Sequence, residues 1–114
     1  MISRAHRFHG HRAVSSVRGE VVHGRVLSLR FRKNKGPDYR LAVVVSKKTA
    51  PTAVSRNRIR RRIFEAVRVS GRVNLTPIDM VIYVKTEALA EVPSEELNKE
   101  IISLIKKALK QLPK

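Results

Sequence analysis

The sequence predicts a single-domain, two-layer α+β sandwich, a small sheet of about four strands with helices packed on it. Three patterns carry that reading. Leu27, Leu29 and Phe31 alternate with Ser28, Arg30 and Arg32, the period of a strand with one buried and one wet face. Leu41–Val45 and Met80–Val84 are short, nearly continuous apolar runs, as buried strands require. Ile59, Ile63, Ala66 and Val67, and later Leu97, Ile101, Leu104, Ile105, Ala108 and Leu112, recur at helical spacing.

Taken in order, residues 1–9 are expected to form an extended basic arm. His11–Arg18 is expected as a short helix with Ala13, Val14 and Val17 on one side and Gly19 as its stop. Val21–Arg32 is the first strand, with Gly24 marking a bulge or a break. Lys33–Asp38 is a turn cluster containing Gly36 and Pro37, expected to close an antiparallel hairpin onto a second strand, Tyr39–Ser46. The apolar core of that second strand predicts a central position, covered on both faces. Pro51 breaks the loop after it, and Thr52 or Ser55 caps a helix running to about Val69, stopped by Ser70-Gly71. Ile78–Val84 is the third strand, expected to be the parallel neighbour of the second with the helix as crossover. Ser94 is expected to cap the last helix, with Glu95 and Glu96 at its positive end and Lys106, Lys107 and Lys110 toward its C-terminus.

The chain has 114 residues and 42% hydrophobic composition, enough for one domain with a modest core. Its five aromatics are Phe8, Phe31, Phe64, Tyr39 and Tyr83, so Val, Leu and Ile must build that core. No cysteine is present, which excludes disulfides, thiolate metal sites and thiol nucleophiles. The longest apolar runs are five residues, far short of a membrane span, and no membrane partner is expected. The acid-free first nineteen residues loosely mimic a transit peptide, but they are His-rich and pass directly into a strand pattern.

The formal charge is +16, and its placement is informative. Residues 1–72 hold 19 Lys+Arg against three acids, whereas residues 73–114 hold six against six. Five of the seven residues from Arg56 to Arg62 are arginine. Such density is costly unless an external polyanion answers it. Asn57, Arg58, Arg61 and Arg68 fall opposite the aliphatic stripe of that helix, and Lys47-Lys48 precede it by only a loop. A nucleic acid is the expected partner, held by arginine forks on phosphate. On the first strand, Ser28, Arg30 and Arg32 with Phe8, Val14 and Val17 from the N-terminal segment would suit a single strand, charge tracking its backbone and apolar groups receiving its bases.

Catalytic chemistry is scarce. No paired carboxylates, nucleophile elbow or Gly-rich phosphate loop is present. Glu65 is expected to pair with Arg61 or Arg62 along its helix. His6, His9 and His11 lie close in sequence, yet solvated histidines brushing phosphates account for them without a metal. No catalytic and no metal-binding side chain is assigned.

Ser46-Lys47-Lys48 followed by Ala53-Val54-Ser55-Arg56-Asn57-Arg58-Ile59-Arg60-Arg61 resembles the signature of the bacterial ribonuclease P protein subunit family. The likeness extends to the His6-Arg7-Phe8 entry, the strands and the C-terminal helix. The resemblance implies that family's sandwich, like the second domain of ribosomal protein S5, with a left-handed crossover through the arginine helix. It implies an endoribonuclease subunit in tRNA processing: the catalytic RNA removes the 5′ leader of precursor tRNA by hydrolysis with its own Mg2+, the protein alone being inactive and holding no cofactor. It implies contact with that RNA through Lys47, Lys48, Arg56, Asn57, Arg58, Arg60, Arg61 and Arg62. The leader would lie in a cleft with Arg7, Phe8, Val14, Val17, Ser28, Arg30 and Arg32. A cytoplasmic 1:1 ribonucleoprotein with a protein monomer is expected. In the family an apolar residue often stands at the position of Arg62 and a basic one at that of Phe64, an exchange that would rotate the basic face slightly. The alternative is a non-catalytic ribosomal or other structural nucleic-acid-binding protein.

Overall fold

The computed structural model describes residues 20–33, 39–70 and 78–111. The expected first helix and the 33–38 turn lie largely outside those residues. Four strands, β1 (Glu20–His23), β2 (Leu27–Lys33), β3 (Arg40–Val44) and β4 (Ile78–Val84), form one mixed sheet in the order β1-β2-β4-β3. Helices α1 (Ala53–Ser70) and α2 (Ser94–Gln111) pack on one face. A one-turn 3-10 helix, Glu87–Glu91, joins β4 to α2.

The stretch expected as one strand folds as the β1–β2 hairpin. Gly24 is the break: its N–H donates to the Leu27 carbonyl at 2.8 Å. A Cβ there would sit 3.1 Å from that carbonyl oxygen and from the Glu100 side chain, so a larger residue would crowd the turn. Glu100 of α2 accepts from the Arg25 N–H at 2.7 Å, and the Lys85 ammonium donates to the Gly24 carbonyl at 2.8 Å. The turn is thus tied to both α2 and the end of β4.

The expected β2–β3 hairpin does not form. β2 pairs antiparallel with β1 and β4, and β4 lies between β2 and β3. β3 is therefore an edge strand, and β4 takes the central position expected of β3. The reason is burial: six of the seven β4 residues are buried, whereas Val43 and Val44 of β3 are only partly covered. β3 and β4 are parallel with Ala42 opposite Val81, so α1 is the crossover between them.

α1 forms because its aliphatic positions share a stripe. Ile59, Ile63, Ala66 and Val67 are all buried, against strand residues such as Leu29, Ile78 and Met80. Asn57, Arg58, Arg61 and Arg68 are exposed on the other side. Thr52 caps the helix, its Oγ1 accepting from the Ser55 N–H at 3.1 Å. Ser55 instead donates its hydroxyl to Glu87 at 3.0 Å. α2 begins at Ser94, and the Pro93 carbonyl accepts from the Leu97 N–H at 3.0 Å. Ser94 therefore opens the first helical turn rather than flanking it. Leu97, Ile101, Leu104, Ile105 and Ala108 complete the core from α2, and Leu112 lies outside the described residues.

The stripe sets a stability test. Ile63→Ala, at a fully buried site, is expected to cost about 2–5 kcal/mol. Arg61→Ala, two residues earlier on the exposed face, is expected to stay within about 0.5 kcal/mol. Urea-denaturation midpoints compare the two, and equal losses would contradict this placement of α1.

Candidate nucleic-acid interface

The basic surface is assembled from the turn before α1 and the outer face of α1. Ser46 builds the turn: its hydroxyl donates to the Thr49 Oγ1 at 3.0 Å and accepts from the Thr49 N–H at 3.1 Å. Its carbonyl accepts from the Ala50 N–H at 2.9 Å. Lys47 and Lys48 are left exposed at the tip, directly ahead of the helix.

The six arginines of α1 divide by what they hold. Arg56 donates to the Ala50 and Pro51 carbonyls at 2.8 and 3.0 Å, closing the loop onto the first turn. Arg62 donates to the Leu89 and Val92 carbonyls, tying α1 to the 3-10 helix. Arg68 pairs with Glu65 through both carboxylate oxygens. The expected Glu65 partners, Arg61 and Arg62, are thus replaced by Arg68, three residues on. Arg68 hydrogen bonds hold the Glu65 carboxyl below its usual value, against a smaller opposing effect of desolvation. That pairing contributes above the ordinary carboxylate range and fades as pH falls through the depressed value.

The other three arginines form the outward face. Arg58 lies 3.8 Å from Glu91, a contact between two exposed side chains that contributes little. Arg60 donates to the Asn57 side-chain carbonyl at 3.3 Å. Arg61 is exposed and makes no ion pair among the described residues. Phe64, where the arginine exchange falls, is half-buried and packs on the core.

The sheet face opposite the helices carries a second polar constellation. Ser28, Arg30 and Arg32 share that face with Asp79, Val81 and Tyr83 of β4, as their pairing register requires. The Arg30 guanidinium carbon lies 6.0 Å from the Tyr83 ring centroid, at the limit of cation–π contact. Asp79 is fully buried; Arg40 binds both its oxygens at 2.9 Å and Arg32 adds a contact of 3.3 Å. Arg7, Phe8, Val14 and Val17, expected beside this face, lie outside the described residues, as do His6, His9 and His11.

Sequence reasoning missed Arg40 and the role of Asp79. The signal was an acid within an apolar strand whose row neighbours on both sides are arginines: Arg32 pairs with Asp79 and Asp79 with Arg40. Such cross-strand opposites stabilise a sheet, but the row becomes visible only once strand order is known. Among the described residues no three His, Asp or Glu side chains converge on a possible metal position, and no helix is long and apolar enough to cross a membrane.

An acid-poor helix face beside a lysine turn, on a small mixed sheet, has the features of a compact nucleic-acid-binding protein. The sequence matches the ribonuclease P family model over residues 2–109. The ribonuclease P protein component of Coxiella burnetii (strain Dugway 5J108-111) is 34% identical over 101 residues, covering 89% of this chain and 78% of that protein. The corresponding component of Pseudomonas entomophila (strain L48) is 33% identical over 92 residues, covering 81% and 68%. The ribonuclease P protein structure from Staphylococcus aureus superposes with a TM-score of 0.75 at 25% identity, covering 92% of this chain and 96% of that one. That from Thermotoga maritima gives 0.70 at 25% identity, covering 79% and 84%. The chain belongs to the ribonuclease P protein family and is a subunit of the endoribonuclease holoenzyme that matures the tRNA 5′ end. Its partners are the ribonuclease P RNA and precursor tRNA.

The buried carboxylate gives a further test. Arg40→Met removes the two 2.9 Å contacts to the buried Asp79 carboxylate and is expected to lower stability by about 1–3 kcal/mol. Arg32→Met should cost less. Guanidinium unfolding curves check the order, and equal or absent effects would remove Asp79 as an organiser of the sheet.

Proposed function

We propose that the ribonuclease P RNA docks on the Lys47-Lys48 turn and the outer face of α1, through Asn57, Arg58, Arg60 and Arg61. Arg56 and Arg62 hold that face in place through backbone carbonyls and turn their remaining donors to the same RNA. The 5′ leader of precursor tRNA passes over the opposite sheet face, at Ser28, Arg30 and Arg32, joined by Arg7, Phe8, Val14 and Val17. Hydrolysis belongs to the RNA and its Mg2+; the protein holds no cofactor, supplies no catalytic side chain and acts as a monomer in a cytoplasmic 1:1 complex. The chief support is the exposed, acid-poor face of α1, where Arg61 has no ion pair among the described residues. Arginine forks of that kind match phosphate geometry.

Arg58→Ala and Arg61→Ala are each expected to weaken RNA association and to flatten the log K against log salt slope by about one unit. Filter binding across a salt series measures this, and an unchanged slope would count against the docking face. Leader cleavage is expected only when the chain is combined with the RNA in Mg2+. Cleavage of precursor tRNA by the chain alone would overturn the assignment of chemistry to the RNA.

A further inference from the structure

A groove of about 700 Å3 runs between α1 and the start of α2. That volume lies in the usual range of small-ligand sites, roughly 300–1,000 Å3. Arg60 and Arg61 stand on the α1 side, Phe64 and Val69 supply apolar wall, and Ser94 and Asn98 close it from α2. Val69 is 59% exposed, one of two large hydrophobics left in solvent among the described residues. The acid in the lining, Glu65, is held by Arg68. The groove therefore joins guanidinium donors, apolar wall, an amide and a hydroxyl in one concavity continuous with the basic face.

We infer that this groove receives one unstacked nucleobase of the ribonuclease P RNA. This rests on the docking face proposed above. Charge complementarity selects the occupant: Arg60 and Arg61 meet the nucleotide's phosphate, Phe64 and Val69 receive the base, and Asn98 and Ser94 engage its polar edge. An apolar peptide would leave the guanidinium groups unanswered. A base presents the flat apolar surface, polar edge and adjoining negative charge that this lining matches, the combination by which proteins read unpaired RNA. The site adds Phe64, Val69, Ser94 and Asn98 to the interface, and gives the Phe64 position a role that a basic residue would not fill.

Base-specific chemical probing of the RNA, at protein concentrations that saturate binding, tests the inference. Wild-type protein is expected to protect the pairing edge of an unpaired nucleotide. Asn98→Ala, a partly exposed change that leaves the core intact, should restore that nucleotide's reactivity. Phe64→Leu, which keeps an apolar side chain but removes the flat wall, should do the same and weaken binding by about fivefold or more. Arg58→Ala, outside the groove, should lower affinity yet keep the protection once saturated. Unchanged protection and affinity within about twofold in both groove variants would overturn the inference while the docking face stands. The inference also falls if the variants instead abolish a concentration-dependent dimer of the protein. Absence of RNA binding by the wild-type chain would overturn the groove and the docking face together.

Discussion

Six arginines on α1 repel one another, and the helix stays docked because Ile59, Ile63, Ala66 and Val67 are buried against the sheet. Burying a large aliphatic side chain stabilises by about 1.5–3 kcal/mol, against surface repulsions that are each small and screened by salt. The stripe also fixes which arginines face outward. At 100° per residue, seating Ile59 and Ile63 in the core puts Arg58 and Arg61 in solvent. A surface suited to an anionic partner is thus positioned by the most apolar part of its own helix.

Three of the six arginines are answered inside the protein. Arg56 and Arg62 donate to carbonyls of the flanking loop and the 3-10 helix, and Arg68 pairs with Glu65. The Arg56 and Arg68 contacts are local, whereas Arg62 joins segments far apart in sequence, reaching carbonyls 27 and 30 residues away. Side-chain freedom lost in folding need not be lost again on binding, so a braced face associates at lower entropic cost than a basic tail of equal charge.

The arginine helix, the last helix, the third strand and the outward arginines were legible in the sequence because periodicity reports local structure directly. Ile78–Val84 appears with the bounds expected, and the α1 stripe is buried as its spacing requires. Strand order was not legible. Leu41–Val45 and Met80–Val84 are apolar runs of equal length, and nothing local tells an edge strand from a central one. The same gap hid the Arg32–Asp79–Arg40 row, which exists only because β4 inserts between β2 and β3. The Glu65 partner was hidden for a different reason: Arg61, Arg62 and Arg68 all lie within helical reach, and tertiary contacts decide among them. Arg62 is taken by the Leu89 and Val92 carbonyls, leaving Arg68 for the carboxylate.

β4 ties the two faces of the sheet together. Its even-numbered residues, Ile78, Met80 and Ile82, seat the helices, while Asp79, Val81 and Tyr83 look to the opposite side. Asp79 has no exposed surface, yet its two arginines are 41% and 45% exposed. The carboxylate therefore does not neutralise a buried pair; it holds two half-solvated guanidinium groups at fixed positions at the side of the sheet away from α1. Two arginines flanking one position of the same row would otherwise repel across β4. One buried acid thus lets the sheet concentrate positive charge on the side away from α1, and the same strand register presents one basic surface through its helix and another through its own outer face.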